Sequence, residues 1–130
     1  MHTGTNTGDR MWNQQIGKKG ESLAARYLEQ QGVEILDQNY RTEYGEIDLI
    51  GLDQGEIVFF EVKTRTTEKF GVPELAITPK KLERMAQCAE IYMQENGLDL
   101  NMRMDIIAIL MQVKKTTPTI EWIKNVTEAN

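Results

Sequence analysis

Apolar and polar positions along the chain fall into two rhythms. Ala24, Ala25, Leu28 and Gln31 follow Glu21 at i+3, i+4, i+7 and i+10, the spacing of one helical face, and Gly32 is a good C-terminal stop. A first helix is therefore predicted from about Lys18 to Gln31. A second is predicted after Thr78, an N-cap, and Pro79 at the first helical position. Leu82, Met85, Ala86, Ala89 and Met93 form its buried stripe, Cys88 lies beside that stripe as a small core residue, and Asn96-Gly97 ends it. Period-two patterning marks strands at Val33–Arg41, Glu46–Leu52, Glu56–Thr64 and Thr119–Val126. Met102–Met111 is almost continuously apolar, the mark of a strand covered on both faces. Thr42-Glu43-Tyr44-Gly45 reads as a turn, and Thr64–Ile77, with Gly71 and Pro73, as a polar loop. The order helix, three strands, helix, two strands predicts an α/β fold, a mixed central sheet flanked by helices. Residues 1–15 are polar and are expected to be a mobile tail, 16–126 a single domain and 127–130 a second tail.

The second and third strands allow a register to be worked out. If Gln54-Gly55 is a two-residue hairpin turn, Asp53 faces Glu56, Gly51 faces Val58, Leu49 faces Phe60, Asp48 faces Glu61, Ile47 faces Val62 and Glu46 faces Lys63. Alternation then yields one wholly apolar face, Ile47, Leu49, Val58, Phe60 and Val62. The other face carries Glu46, Asp48, Glu61 and Lys63, with Ile50 and Phe59 further along. A one-residue slip would scramble the apolar matches.

In this register the Cβ atoms of Asp48 and Glu61 stand about 5 Å apart, and like charges so placed destabilise a sheet. Protonation of one acid, an interposed lysine or a bound cation relieves the repulsion. Mg²⁺ suits the last case, since it takes carboxylate oxygens together with water and phosphate. The plain alternative is a charged sheet face on which Lys63 screens both acids. Glu21 sits on the inward stripe of its helix, where an unpaired charge is costly, although a carboxylate in a first turn also complements the helix dipole.

Composition narrows the chemistry. With 130 residues, 40% hydrophobic and 27% charged, the chain is expected to fold as an ordinary domain without disulfide or metal. One cysteine excludes an internal disulfide and a multi-cysteine zinc site, and one histidine, His2, argues against histidine catalysis. No apolar stretch is long enough to span a bilayer and no secretory leader is evident, so a cytoplasmic protein without a membrane partner is expected. A net charge of −5 weighs against a non-specific nucleic-acid coat. The basic residues are nevertheless grouped: Arg65 and Lys69 follow the acid pair, and Lys80, Lys81 and Arg84 crowd the start of the second helix. They are either a nucleic-acid-binding rim or a solvated helix face. Aromatic residues are too few and scattered for a stacking platform of the single-strand-binder kind.

Gly45-Glu46-Ile47-Asp48-Leu49-Ile50, then Phe60-Glu61-Val62-Lys63-Thr64-Arg65, then Arg103-Met104-Asp105-Ile106-Ile107, with Gly17, Gly20-Glu21 and Ala24 before them, resemble the YraN family of bacterial proteins. The resemblance spans roughly Ile16 to Val113. That family is similar to the PD-(D/E)XK, restriction-endonuclease-like superfamily, and especially to archaeal Holliday-junction resolvases. The resemblance implies a metal-dependent endonuclease acting on structured or branched DNA in repair or recombination. Asp48 then takes the place of the first acid, Glu61 and Lys63 match the (D/E)XK triplet, and Glu21 matches the helical acid of the resolvase-like branch. Asp48 and Glu61, with the Val62 carbonyl, would hold Mg²⁺ or Mn²⁺, Lys63 would position water or offset developing charge, and Glu21 would complete the metal shell.

Two departures stand out. Ile47, not proline, precedes Asp48, and Gln87 and Tyr92 lack the spacing of the exonuclease branch. Symmetric cutting of two strands would need a homodimer, for which the sequence shows no seam. Arg103 and Asp105 read equally as a structural pair or as groups facing the site. The competing readings are a non-cleaving nucleic-acid-binding protein of the same fold and a protein-interaction domain with a charged face.

Overall fold

The computed structural model describes residues 3–66, 77–112 and 116–126, with side chains from residue 14 onward. Its elements are α1 (Thr3–Gln30), β1 (Glu34–Thr42), β2 (Gly45–Asp53), β3 (Glu56–Arg65), α2 (Pro79–Glu95), β4 (Met102–Leu110) and β5 (Thr119–Ile123). The five strands form one sheet in chain order, antiparallel except for the parallel β3–β4 pair, which α2 connects. This is the expected α/β architecture with a mixed sheet. Arg103 to Leu110 are all buried, because β4 lies inside the sheet with both faces covered. Among the described residues no helix is long and apolar enough to cross a membrane.

The two helices cover opposite faces. Ala24, Ala25 and Leu28 of α1 pack with Leu49, Val58, Phe60, Ile107 and Ile109. Met85, Cys88, Ala89 and Tyr92 of α2 pack with Ile47, Ile50, Phe59 and Met104. The Thr78 hydroxyl accepts the Lys81 N–H at 3.2 Å, capping α2 as expected. Gln31, placed on the α1 stripe by its spacing, is exposed because the helix ends one residue earlier.

The start of α1 differs from expectation. Helical backbone begins at Thr3, well before Lys18, so most of the segment read as a tail is helix. No apolar stripe announces this. Once a helix is anchored by its packed turns, each further residue adds a hydrogen bond without a new nucleation cost. Lys69 and residues 127–130 lie outside the described residues.

Gln54 and Gly55 have φ of 51° and 84°, the left-handed pair that a primed two-residue turn requires. The register follows as worked out, with Asp53 opposite Glu56, Gly51 opposite Val58 and Leu49 opposite Phe60. Beyond Leu49–Phe60 the paired backbone of β2 and β3 ends. There the Oδ2 of Asp48 accepts the Val62 N–H at 2.8 Å, so a side chain replaces the neighbouring strand as acceptor. On the other side of β2, the register with β1 shifts between Ile35 and Asp37 and then runs unshifted from Gln38–Leu49 to Tyr40–Ile47 past Asn39, which stands at φ 52°. Simple alternation nevertheless fails at Ile47. Ile47 packs with Ile50 and Phe59 on the α2 side, not with Leu49 on the α1 side.

Arg103 and Asp105 are a structural pair. The Arg103 guanidinium, 7% exposed, donates to Asp105 Oδ2 at 2.9 Å, to Asp53 Oδ2 at 2.9 Å and to Glu56 Oε1 at 2.8 Å. Asp105 also accepts from Trp122 Nε1 at 2.8 Å and from the Asn125 N–H at 3.0 Å. One buried cation thus ties the hairpin turn to β4 and, through Asp105, to β5.

Candidate active site

Where β2 and β3 part, α1 and the start of α2 close over the gap and leave a cleft of about 560 Å³. Glu21 reaches it from α1, Asp48 from β2, Glu61, Val62 and Arg65 from β3, and Lys81 from α2. Asp48 and Glu61, one residue beyond the last paired positions Leu49 and Phe60, therefore open onto one space, together with the helical acid.

The electrostatics of the cleft are those of crowded carboxylates. Burial pushes Asp48 up to about 7; the Val62 N–H opposes this, and the charges of Glu61 and Glu21 add to it. Glu21 is raised chiefly by burial and further by Glu46 and Glu61, against a hydrogen bond from Asn39. With its amide nitrogen turned toward the acids, Asn39 donates to Glu46 Oε2 at 2.8 Å and to Glu21 Oε1 at 3.1 Å. The Glu61 side chain, 15% exposed, meets the Lys81 ammonium at 3.3 Å. Among the described residues no three acids, cysteines or histidines stand together as a complete metal-ligand set.

The remaining candidates are dispersed. Lys63 is half-buried opposite Ala108 of β4 and is not among the described residues that line the cleft. Arg65 is exposed at the cleft, its Nη1 donating to the Thr64 carbonyl at 2.9 Å. Lys80 and Arg84 are exposed and line a second cavity, beside Gly45 and Glu46.

Sequence reasoning missed Asn39, Thr64 and the spacing role of Gly20. An asparagine inside a predicted strand was the available signal for the first, because it is depleted in strands and tolerates positive φ. Gly17 and Gly20 lie on α1, where glycine costs about 1 kcal/mol against alanine. At Gly20 a Cβ would collide with the Thr64 hydroxyl and lie 3.1 Å from Thr64 Cβ. The missing side chain lets α1 approach β3 and carries Glu21 to the cleft. At Gly17, which lines the cleft, a Cβ would meet nothing within 4 Å. Opposite outcomes are expected in thermal melts. Gly20→Ala should destabilise by about 1–3 kcal/mol through overpacking, whereas Gly17→Ala should stabilise by up to about 1 kcal/mol. Equal effects of the two would refute the close approach of α1.

The model of the uncharacterised protein family UPF0102 matches residues 20–109. The chain is 44% identical over 117 residues to a UPF0102 protein of Syntrophus aciditrophicus, covering 89% of this chain and 91% of the relative. It is 43% identical over 117 residues to one of Geobacter sulfurreducens, with the same coverage of 89% and 91%. A relative from Syntrophomonas wolfei is 39% identical over 105 residues, 80% of this chain and 91% of its own.

Proposed function

The chain belongs to the UPF0102 family, the YraN family of bacterial proteins, and on the geometry of its cleft we propose that it is a divalent-metal-dependent nuclease. Its proposed substrate is structured or branched DNA, met in repair or recombination in the cytoplasm. The observation that carries this reading is a contrast within one hairpin. Asp53 and Glu56 face each other at the turn and share a buried arginine. Asp48 and Glu61, at the other end, line a cleft with the cations Lys81, itself half exposed and paired with Glu61, and Arg65, exposed at its edge. The acids at the turn meet their cation inside the protein, whereas Glu61 meets one that is itself open to solvent.

The donor set suits a hard cation. Asp48 and Glu61 offer carboxylate oxygens, and Glu21 stands near enough to raise the charge density further. Bound there, Mg²⁺ or Mn²⁺ supplies positive charge against the charge that develops on a phosphodiester during hydrolysis. Lys81 and Arg65 hold the substrate phosphates, and Lys63 steadies the acidic end of β3. A non-cleaving nucleic-acid-binding protein is the second reading, favoured by the lack of a complete ligand set among the described residues.

The test is incubation of labelled duplex, forked, four-way and single-stranded DNA with Mg²⁺ or Mn²⁺. Metal-dependent cutting of at least one branched substrate is expected; cutting of none with either metal leaves the binding protein as the better account. Millimolar Mn²⁺ should also raise the melting temperature, since tenfold saturation of a site present only in the folded state adds roughly 1.4 kcal/mol.

A further inference from the structure

Beside the cleft lies a second cavity, of about 750 Å³, between the β1–β2 turn and the first turns of α2. We propose that it seats one unpaired nucleobase of the DNA strand whose phosphate lies at Asp48 and Glu61, with Tyr44 as the ring on which that base stacks. This assignment rests on the reading of the cleft as a nucleic-acid site.

Tyr44 is 41% exposed, one of few large apolar side chains left in solvent among the described residues. It is not loosely held: its N–H donates to the Thr42 hydroxyl at 3.0 Å, which pins the turn that presents it. It lines this cavity and also a smaller one of about 360 Å³ along the outer side of α2. A single ring cannot serve a run of bases, as the scattered aromatics of the sequence already implied, but it suffices for one.

The lining chemistry fits a base better than a phosphate. Arg41, Lys80 and Arg84 are matched by Glu43, Glu46 and Glu83, and Arg41 Nε meets Glu46 Oε1 at 3.3 Å. Balanced charge exerts little net pull on a phosphate. It does offer donors and acceptors together, which a base edge needs, and an aromatic face completes the requirement. The volume lies within the range of small-ligand pockets.

Position links the cavity to the cleft. Lys80 lines the cavity and Lys81, the next residue, lines the cleft; Glu46 lines the cavity and Asp48, two residues on, lines the cleft. A strand crossing the start of α2 would pass from one to the other. The preferred substrate therefore has an unpaired nucleotide beside the cut, which is a fork or junction rather than continuous duplex.

The test compares wild type, Tyr44→Ala and Tyr44→Phe for binding to a fork with one single-stranded arm and to a fully paired duplex, with Ca²⁺ in place of Mg²⁺. Tyr44→Ala should weaken fork binding about tenfold or more, the scale of one lost base stack, and leave duplex binding and the melting temperature unchanged. Tyr44→Phe should bind the fork like wild type, and 2-aminopurine in the arm should be quenched by wild type but not by Tyr44→Ala. Equal effects on fork and duplex, or none on either, overturn the proposal, as does a wild type that binds no DNA. The nuclease reading is judged separately. Tyr44-dependent fork binding without cleavage in Mg²⁺ keeps the base seat and removes the nuclease, whereas cleavage indifferent to Tyr44 does the reverse.

Discussion

Replacing Arg103 with methionine is expected to lower stability by about 3–5 kcal/mol, the usual cost of leaving buried charge without its partner. Asp105 is fully buried, and Asp53 is 7% exposed, so neither can turn to water when the guanidinium is removed. Trp122 and Asn125 would still donate to Asp105, which softens the loss there but does nothing for Asp53. Lysine is a poor substitute, because an ammonium cannot reach three carboxylates with the fixed fork of a guanidinium. Urea titration measures the effect. A triple variant with Arg103→Met, Asp53→Asn and Asp105→Asn should recover part of the loss, since it removes the stranded charges along with the cation. An Arg103→Met protein within 1 kcal/mol of wild type would show that the network is not the clamp on the hairpin described above.

That clamp also shows what a sequence discloses and what it hides. The hairpin register was legible because two local signals agreed: a two-residue connection, Gln54-Gly55, between strand patterns and apolar matches on both strands. The facing of Asp53 and Glu56 followed from the same register, but their partner did not. Arg103 is remote in sequence and comes within reach only because β4 lies parallel beside β3. The pairing of Lys81 with Glu61 was hidden for the same reason. A lysine on a helix start reads as solvated until the helix has been placed against the sheet.

The site itself was partly legible. Glu21, Asp48 and Glu61 line one cleft. The end of β2–β3 pairing at Leu49–Phe60 was not visible, since period-two patterning assumes an unbroken ladder. Ile47 is the casualty, moving to the face opposite the one predicted. Beyond that end the Asp48 carboxylate, not a paired strand, takes the Val62 N–H, and the cleft lies there. The early part of α1 escaped for a different reason: a helix extended by propagation needs no apolar stripe of its own.

Asp48→Asn should separate stability from chemistry with opposite signs. Asp48 in the folded protein holds its proton up to about 7, against an ordinary value near 3.8. Below about pH 4 the carboxyl is neutral in both folded and unfolded chains and exerts no differential effect. Between pH 4 and 7 the unfolded chain has lost the proton while the folded one keeps it, so stability falls as pH rises. Above pH 7 the full destabilisation is present. Asparagine keeps an oxygen for the Val62 N–H and removes the charge, so in metal-free buffer at pH 8 the variant should be more stable, on the order of 2 kcal/mol after discounting for solvent in the cleft. That advantage should vanish near pH 4, and millimolar Mn²⁺ should stabilise wild type but not the variant. Cleavage should fall in the variant by at least 100- to 1,000-fold, the scale of losing one positioned charged group. In wild type, cleavage should rise with pH through 7, because protons and metal compete for the same carboxylate. A variant that is less stable at pH 8 would refute the crowding of acids in the cleft, and one that still cuts at the wild-type rate would remove Asp48 from the chemistry.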